Sequence, residues 1–437
     1  MTNQQILHAA QAYVEAFRAA IVKSDKDFRE LLQGRGRGFS SGAHGVVEFT
    51  DELLAAARAL SDRAIKDFGS SSIHDKTVDE VARNTVFDSD VTVPSKTVAA
   101  AVVAAIRDAA NHEYRKIRPN QLFRFSGEIE DVRVGPVRIV SRRLLAEEVA
   151  AKYDAIRISE QTKGNNAFTY TEEDGDREAL IHLPEVCWDV SVRGMPKILD
   201  VQAQWLIDVA VSFIRLQYKT QPGLFPKLAD VEPHPINPYQ WSMEGLTLGP
   251  EGPSFGGGTA PTWYEVDEGI ATIFESASVV EVARKVFNPD NKSVAERFQQ
   301  MLGWMTRARQ AKEPAERVLL FFTAIESLLT GGDKDAPITD TIARAAGVMW
   351  TSNETTRFAF YTALKKLYGL RSRIVHTGHR SVAQLELNNI HYIAWNLAHL
   401  VLHKVDLSQK HEDFLTDIKE ATFGGKWKAL LVPNEGN

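Results

Sequence analysis

The sequence predicts an α+β protein in which a helical and mainly antiparallel-sheet region precedes an all-α bundle. Three observations predict this class. Residues 1–118 repeat apolar side chains at helical spacing. Residues 120–195 break into short runs of β-branched and aromatic residues separated by Gly, Pro, Asn and Asp, which is typical of antiparallel strands. Residues 267–410 return to long helical patterns joined by short connections, which indicates an antiparallel helical bundle.

The helical stretch at the N-terminus has three apolar-periodic segments, predicted at residues 6–32, 52–68 and 95–117. Between the first two segments, the glycines of residues 33–45 interrupt regular structure. Arg35 and Arg37 lie in this loop, so its backbone N–H groups could cradle a phosphate ligand. The spacing matches no phosphate-binding fingerprint, and a plain flexible connector is the alternative.

The sheet region is predicted to contain six short strands, at residues 122–125, 129–134, 137–140, 167–170, 179–183 and 187–192. Gly135 and Pro136 predict a hairpin between the second and third strands. His182 then lies within a strand. Residues 196–219 regain helical spacing and complete an N-terminal region of residues 1–220, which we expect to regulate or direct the rest of the chain.

Residues 221–266 are rich in Pro and Gly and are predicted to connect two domains. Trp241, Trp263 and Tyr264 lie in this stretch, and their rings could stack on nucleic-acid bases. A linker anchored by its own aromatic side chains is the alternative interpretation.

Six helices are predicted after the connector, at residues 267–287, 293–311, 314–330, 339–350, 354–374 and 382–405. Pro314 lies in the first turn of the third helix, and Gly331 with Gly332 follows its end, as start and stop signals require. After residue 407 the chain becomes polar, and residues 411–437 are interpreted as a tail without clear organisation.

Composition limits the possible partners and compartments. The 437 residues carry a formal net charge of −6, so nucleic acid could be attracted only by a local basic patch. The single cysteine, Cys187, excludes an internal disulfide and fits a reducing compartment. The N-terminus has no signal-peptide pattern, and the apolar run at residues 98–106 is too short to cross a bilayer. We therefore expect a soluble, cytoplasmic protein without membrane contacts.

A candidate site is predicted near the end of the bundle. Glu326 lies in an apolar helical run, and a buried carboxylate requires a partner, so an arginine of the next long helix is expected to pair with it. Arg371 and His376 follow at a spacing of five, which rotates them about 140° apart on a regular helix. Either the helix ends between them, or the histidine reaches a cleft from the far side. Gly378 predicts that the helix ends just beyond His376.

The five-residue spacing alone is not specific, because Arg107 with His112 and Arg177 with His182 repeat it. The surrounding sequence is more specific. Residues 279–405 contain the phrase Ala-Ile-Glu-Ser-Leu-Leu at 324–329, the phrase Ile-Ala-Arg at 342–344, and the closing phrase Tyr-Gly-Leu-Arg-Ser-Arg-Ile-Val-His-Thr-Gly at 368–378. In this order and spacing they resemble the HEPN superfamily of helical domains, and its Apea-like branch most closely.

The resemblance implies roles for particular residues. The Arg-x4–6-His motif of the family falls on Arg371 and His376, its polar position on Ser372, and its upstream acid on Glu326. Many members are metal-independent ribonucleases that form homodimers, so the resemblance implies an endoribonuclease without a cofactor, with RNA as its partner. Toxin and anti-phage defence roles are common among such domains, which makes a bacterial defence effector the expected biological setting. A protein or small-molecule trigger is expected to act on the N-terminal region.

Several alternatives remain open at this point. Arg373, Lys365 and Lys366 could contact phosphates, or the lysines could simply be a solvated helix face. Other members of the family bind RNA or assemble without catalysis; Arg371 would then only pair with Glu326, while His376 would cap the helix end. His399 and His403 lie one helical turn apart and could ligate a metal, with His391 and His411 near them in sequence. No accompanying metal-binding pattern supports that reading, so no metal is predicted.

Overall fold

The structure is a computed structural model of the chain. It describes the following residues: 2–21, 39–42, 45–69, 71–120, 122–162, 171–217, 246–249, 252–255, 264–311, 313–331, 338–423 and 427. Several predicted features therefore lie outside the described residues. These are the Arg35/Arg37 loop, the strand expected at 167–170, most of the connector at 221–266 and most of the chain after residue 423.

The described residues form an α+β protein, as the sequence predicts. The helices are α1 (Thr2–Ala19), α2 (Asp51–Phe68), α3 (Asp75–Phe87), α4 (Ser95–Asn111), α5 (Arg142–Thr162), α6 (Thr171–Ile181), α7 (Leu199–Gln217), α8 (Glu268–Glu275), α9 (Ala277–Phe287), α10 (Val294–Gln310), α11 (Pro314–Leu329), α12 (Ile338–Trp350), α13 (Glu354–Thr377), α14 (Gln384–Lys404) and α15 (His411–Ala421). The strands are β1 (Phe39–Gly42), β2 (Gly45–Glu48), β3 (Glu113–Pro119), β4 (Phe123–Phe125), β5 (Asp131–Val134), β6 (Val137–Ser141), β7 (Val186–Arg193), β8 (Leu246–Gly249), β9 (Gly252–Phe255) and β10 (Tyr264–Val266). Among these helices, none is both long and apolar enough to span a bilayer.

The chain divides into two compact units, one formed by Met1–Lys116 with Ser191–Gln204 and the other by Ile117–Val190 with Trp205–Asn437. The first unit buries the apolar stripes of α1 to α4 in one core, where Phe17 meets Phe87 edge to face at 5.0 Å between ring centroids. Helix α2 begins at a defined cap, because the side chain of Thr50 accepts a hydrogen bond from the backbone N–H of Leu53 at 3.2 Å.

A four-stranded sheet runs in the order β3-β7-β6-β5. Strands β5 and β6 form the predicted antiparallel hairpin, in register from Asp131 opposite Val140 to Val134 opposite Val137. Gly135 adopts a φ of 60° at the first turn position, which suits a type II′ turn with proline second. A Cβ atom at Gly135 would lie 2.6 Å from the ring of Phe287, so glycine also allows the turn to pack directly on α9.

A second, two-stranded sheet joins distant parts of the sequence. Strand β10 pairs in parallel with β4, and Tyr264 lies opposite Phe123, 141 positions earlier in the chain. The ring of Phe123 packs against two other aromatic rings. Its centroid lies 5.6 Å from that of Tyr264 and 5.5 Å from that of Trp188. The ladder is therefore anchored by buried aromatic packing.

The all-helical C-terminal part packs around α11, whose apolar face is buried by α10, α12, α13 and α14. Phe298, Phe321, Phe322 and Phe414 are each fully buried. Phe414 belongs to α15, within the stretch interpreted from sequence as an unorganised tail. That interpretation is wrong for His411–Ala421, because Phe414 and Ile418 supply an apolar face that packs into the bundle.

Further boundaries differ from the sequence prediction. The first helix, expected at residues 6–32, ends at Ala19. The helix expected to reach residue 117 ends at Asn111, and β3 follows. The strand expected at 179–183 is wrong, because this stretch closes helix α6, and His182 lies just after that helix. The single helix expected at 267–287 is broken at Ser276, whose extended backbone separates α8 from α9.

Candidate functional site

Glu326 occupies the centre of the candidate site. It projects from α11 toward α13, where both of its carboxylate oxygens find partners. The hydroxyl of Tyr368 donates to Oε1 at 2.7 Å, and Nη2 of Arg371 lies 3.3 Å from Oε2. The expected pairing of Glu326 with an arginine of the next long helix is therefore confirmed. The side chains are half-buried, with exposed fractions of 20% for Glu326 and 29% for Arg371.

Tyr368 is a member of this cluster that the sequence reasoning missed. Its ring packs edge to face on Phe322 at 5.1 Å between centroids, and the Arg371 guanidinium lies 5.2 Å from its ring centroid. Burial, and then the neighbouring Glu326 carboxylate, raises the pKa of the Tyr368 hydroxyl, which therefore remains a hydrogen-bond donor. The three-residue spacing from Arg371 was the available signal, because it places both side chains on one helix face.

His376 lies elsewhere on the same helix. Helix α13 continues through both motif residues to Thr377, so it does not end between Arg371 and His376. Gly378 ends it with a left-handed φ of 66°, and its N–H bonds the carbonyl of Ile374 at 3.2 Å, which confirms the predicted stop. The two side chains leave the helix about 140° apart and about 7.5 Å apart along its axis. A single subunit does not bring them together.

The imidazole of His376 is exposed, and no hydrogen bond or ion pair joins it to another described residue. A capping contact between this ring and the helix end is therefore absent from the described part of the chain. Ser372 is half-buried one turn earlier, and Arg373 is exposed. The solvent side of α13 thus presents a histidine that remains available for other contacts.

The two lysines expected to contact phosphate differ in their surroundings. Lys366 is exposed. Nζ of Lys365 lies 3.3 Å from the Asp340 carboxylate and 3.0 Å from the Tyr361 hydroxyl, and these contacts raise the pKa of Lys365, the hydroxyl contributing most. Lys365 is therefore already engaged in a surface cluster, whereas Lys366 remains accessible.

Helix α13 is strongly basic in an acidic chain. It contains five Lys or Arg residues and a single Glu, a net charge of +4, whereas the whole chain has a formal charge of −6. An acidic chain can attract nucleic acid only through a local excess of cations. Helix α13 carries such an excess, although Arg371 and Lys365 are paired with Glu326 and Asp340.

The histidines considered as an alternative metal site do not converge. His391 is buried against Phe321, His411 Nε2 lies 2.6 Å from the Leu328 carbonyl, and the rings of His399 and His403 lie 4.3 Å apart between centroids. Among the described residues, no group of three or more His, Cys, Asp or Glu side chains has the arrangement of a metal site.

Burial of His391 leads to a testable pH dependence. Burial, and then the positive charges of Arg215 and Arg317, lowers the pKa of His391 from 6.5 to about 3, while Nη1 of Arg309 hydrogen-bonds its Nε2 at 3.0 Å. A depressed folded-state pKa gives stability that is complete above pH 6.5 and is lost as the pH falls toward 3. Because of His391, the free energy of unfolding should be about 2 kcal/mol lower at pH 5 than at pH 7.

The replacement His391→Gln keeps a neutral acceptor for Arg309 but cannot titrate. We expect the loss of unfolding free energy between pH 7 and pH 5, measured by chemical denaturation, to be smaller in this variant by about 2 kcal/mol. Identical pH dependence in the two proteins would show that His391 is not held neutral by its surroundings.

Comparison of the chain with protein-family models, curated proteins and solved structures finds no match.

Proposed function

We propose that the C-terminal bundle is a metal-independent endoribonuclease that acts as a homodimer. The observation that carries this proposal is an exposed His376 at the end of α13, a helix with a net charge of +4. Histidine is the side chain best suited to exchange protons near neutral pH. The positive charge of the helix would attract the phosphates of an RNA backbone toward this histidine.

Arg371 supplies the second requirement, a fixed positive charge. Its contacts with Glu326 and with the ring of Tyr368 hold the guanidinium at one place on the helix. A guanidinium keeps its charge at any physiological pH and can bond two phosphate oxygens. Its remaining N–H groups can therefore stabilise charge that develops on a phosphorane.

A second copy of the chain resolves the separation of the two groups on α13. Because Arg371 and His376 point about 140° apart, one subunit cannot direct both side chains at the same phosphate. A two-fold pairing of the bundles would bring the arginine and histidine sets of two copies into one cleft. This arrangement also agrees with the dimer that the HEPN resemblance implies.

The proposed reaction is an internal transesterification. One imidazole takes the proton of the 2′-hydroxyl, whose oxygen forms a bond to phosphorus. The bond from phosphorus to the 5′ oxygen breaks, and that oxygen takes a proton from the second copy's imidazole, which must enter the reaction in its protonated, imidazolium form. The products are a 2′,3′-cyclic phosphate end and a 5′-hydroxyl end, and no redox partner is required.

We further propose that the N-terminal region controls this activity in the cytoplasm, in response to a protein or small-molecule trigger. The resemblance favours a role as a bacterial toxin or anti-phage effector. The one cysteine, Cys187, is buried as a free thiol, which is compatible with a reducing compartment.

The full chain is expected to cleave RNA in the presence of excess EDTA. Purified protein would be incubated with total RNA with and without the chelator, and the new ends would be identified by treatment with a cyclic phosphodiesterase and by ligation. Equal cleavage under both conditions with 2′,3′-cyclic phosphate ends supports the proposal. Cleavage that requires a divalent metal would contradict it.

The contact between Arg371 and Glu326 also favours a second candidate, a non-catalytic RNA-binding or dimerisation module. In that case the guanidinium serves only to satisfy the carboxylate. This candidate predicts that RNA is retained by the protein without new ends. The EDTA experiment separates the two candidates when bound and cleaved RNA are measured together.

A further inference from the structure

A cleft of about 480 Å³ lies in the second unit, between the edge of the four-stranded sheet and helices α8 and α9. Its apolar lining includes Val132 and Val134 of β5, Phe274 of α8 and Ala283 of α9. All four side chains are at least nine-tenths buried. These residues form the closed apolar floor of the cleft, and the accessible apolar surface beside the strand lies at its mouth, on Val280, which is 52% exposed.

Strand β5 is an edge of the sheet, since in the described residues it pairs only with β6. Ser141 N–H donates to the Glu130 carbonyl at 2.8 Å, which identifies residues 130 and 141 as a hydrogen-bonded pair. Because such pairs alternate along an antiparallel ladder, Val132 and Val134 also direct their backbone groups toward β6. The N–H and C=O groups of Asp131 and Arg133 consequently face away from the sheet.

An edge strand of this kind is a template for another strand. Asp131 and Arg133 both line the cleft, so the outward-facing backbone groups lie beside its apolar floor. Helix-and-edge-strand grooves of this geometry suit an extended peptide, whose backbone bonds the edge while alternate side chains enter the groove. A compact small molecule could fill the cleft, but it would leave the outward-facing N–H and C=O groups of Asp131 and Arg133 without hydrogen-bond partners.

The charged residues of the lining indicate the chemistry of such a peptide. Asp131 pairs with Arg138 at 2.7 Å, and Arg284 pairs with Glu281 at 2.8 Å. No other described residue forms an ion pair with Arg133 or Glu275, and both side chains are exposed. One positive and one negative group thus remain for a ligand.

We infer that this cleft binds an extended peptide segment of a partner protein, in which apolar residues alternate with charged residues of both signs. The peptide backbone adds a strand to β5 at Asp131 and Arg133. Its apolar side chains pack at the mouth of the cleft, where Val280 is exposed, and its acidic residue pairs with Arg133. The packing of Gly135 on Phe287 fixes the hairpin against α9, so the two walls of the cleft are held together before a peptide arrives.

The full chain would be titrated into the fluorescein-labelled peptide amide Val-Glu-Val-Lys-Val, and binding would be followed by fluorescence anisotropy. The variant Arg133→Pro removes the outward N–H and leaves the ladder to β6 intact, because proline is tolerated on the open side of an edge strand. The matched variant Arg133→Ala removes the side-chain charge but keeps the N–H. We expect Arg133→Pro to weaken binding more than tenfold and Arg133→Ala by no more than about fivefold.

Two further measurements locate the peptide. The same peptide with every second amide nitrogen methylated is expected to bind at least tenfold more weakly, because it cannot complete a ladder. The amide of Arg133 should exchange more slowly with deuterium when the unmethylated peptide is bound. Absence of binding, equal affinity of Arg133→Pro, or equal affinity of the methylated peptide would each overturn the inference. A change in self-association of Arg133→Pro without peptide binding would assign the edge to a second copy and would overturn it as well.

Discussion

Replacing His376 with alanine is expected to lower RNA cleavage by about 10²–10⁴-fold, because the proton acceptor for the 2′-hydroxyl is lost. The imidazole is exposed and has no described hydrogen-bond partner, so the substitution should leave the unfolding midpoint almost unchanged. Initial rates would be measured on a defined single-stranded RNA with a fluorophore and a quencher at its ends. RNA retention would be measured in parallel, since loss of the imidazole should affect binding much less than cleavage.

His379→Ala is the matched control for this variant. His379 lies three residues further along, beyond the glycine that ends α13, and at a looser spacing from Arg373. We expect His379→Ala to cleave at nearly the rate of the unmodified protein. Equal cleavage by His376→Ala and the unmodified protein would reject the assignment of the base.

Replacing Phe322 with alanine is expected to lower the unfolding free energy by about 3–5 kcal/mol, because the side chain is fully buried and its removal leaves a cavity. Phe322 also supports the candidate site, since its ring contacts Tyr368, which in turn hydrogen-bonds Glu326. Cleavage at a temperature where the variant remains folded should therefore also fall. The measurements are chemical denaturation and initial cleavage rates.

Phe358→Ala provides the comparison, because it removes the same ring from a site where it is 70% exposed. The expected change in unfolding free energy is within about 0.5 kcal/mol. Similar destabilisation by the two substitutions would contradict the packing around α11 described above.

The parts of the fold that follow from local chemistry could be predicted from sequence. Gly378 predicts the end of α13 because a left-handed C-cap favours glycine, and the Gly135-Pro136 pair predicts the β5–β6 hairpin. The partner of Glu326 could be predicted for a different reason. A carboxylate in an apolar helix needs a cation, and Arg371 lies on the next long helix.

The features that depend on distant partners could not be predicted. Helix α4 reads as continuous to residue 117, yet residues after Asn111 form β3 because they join the sheet beside β7. The Ala-Leu-Ile run at 179–181 suggests a strand, but these residues form the last turn of α6, from which Leu180 packs into a core. Tyr368 was missed because its spacing from Arg371 places the two side chains on one helix face but does not show that the hydroxyl meets Glu326 on α11.

The parallel ladder between β4 and β10 has a consequence for how the protein is made. Phe123 is synthesised 141 residues before Tyr264, the residue with which it pairs in that ladder. At typical elongation rates this delay is roughly 7–28 s, which is far longer than a loop needs to close. During that interval the edge of β4 that pairs with β10 has no partner strand. A translational pause before residue 264 should therefore increase chaperone capture of the nascent chain, and a pause placed after residue 266 should not.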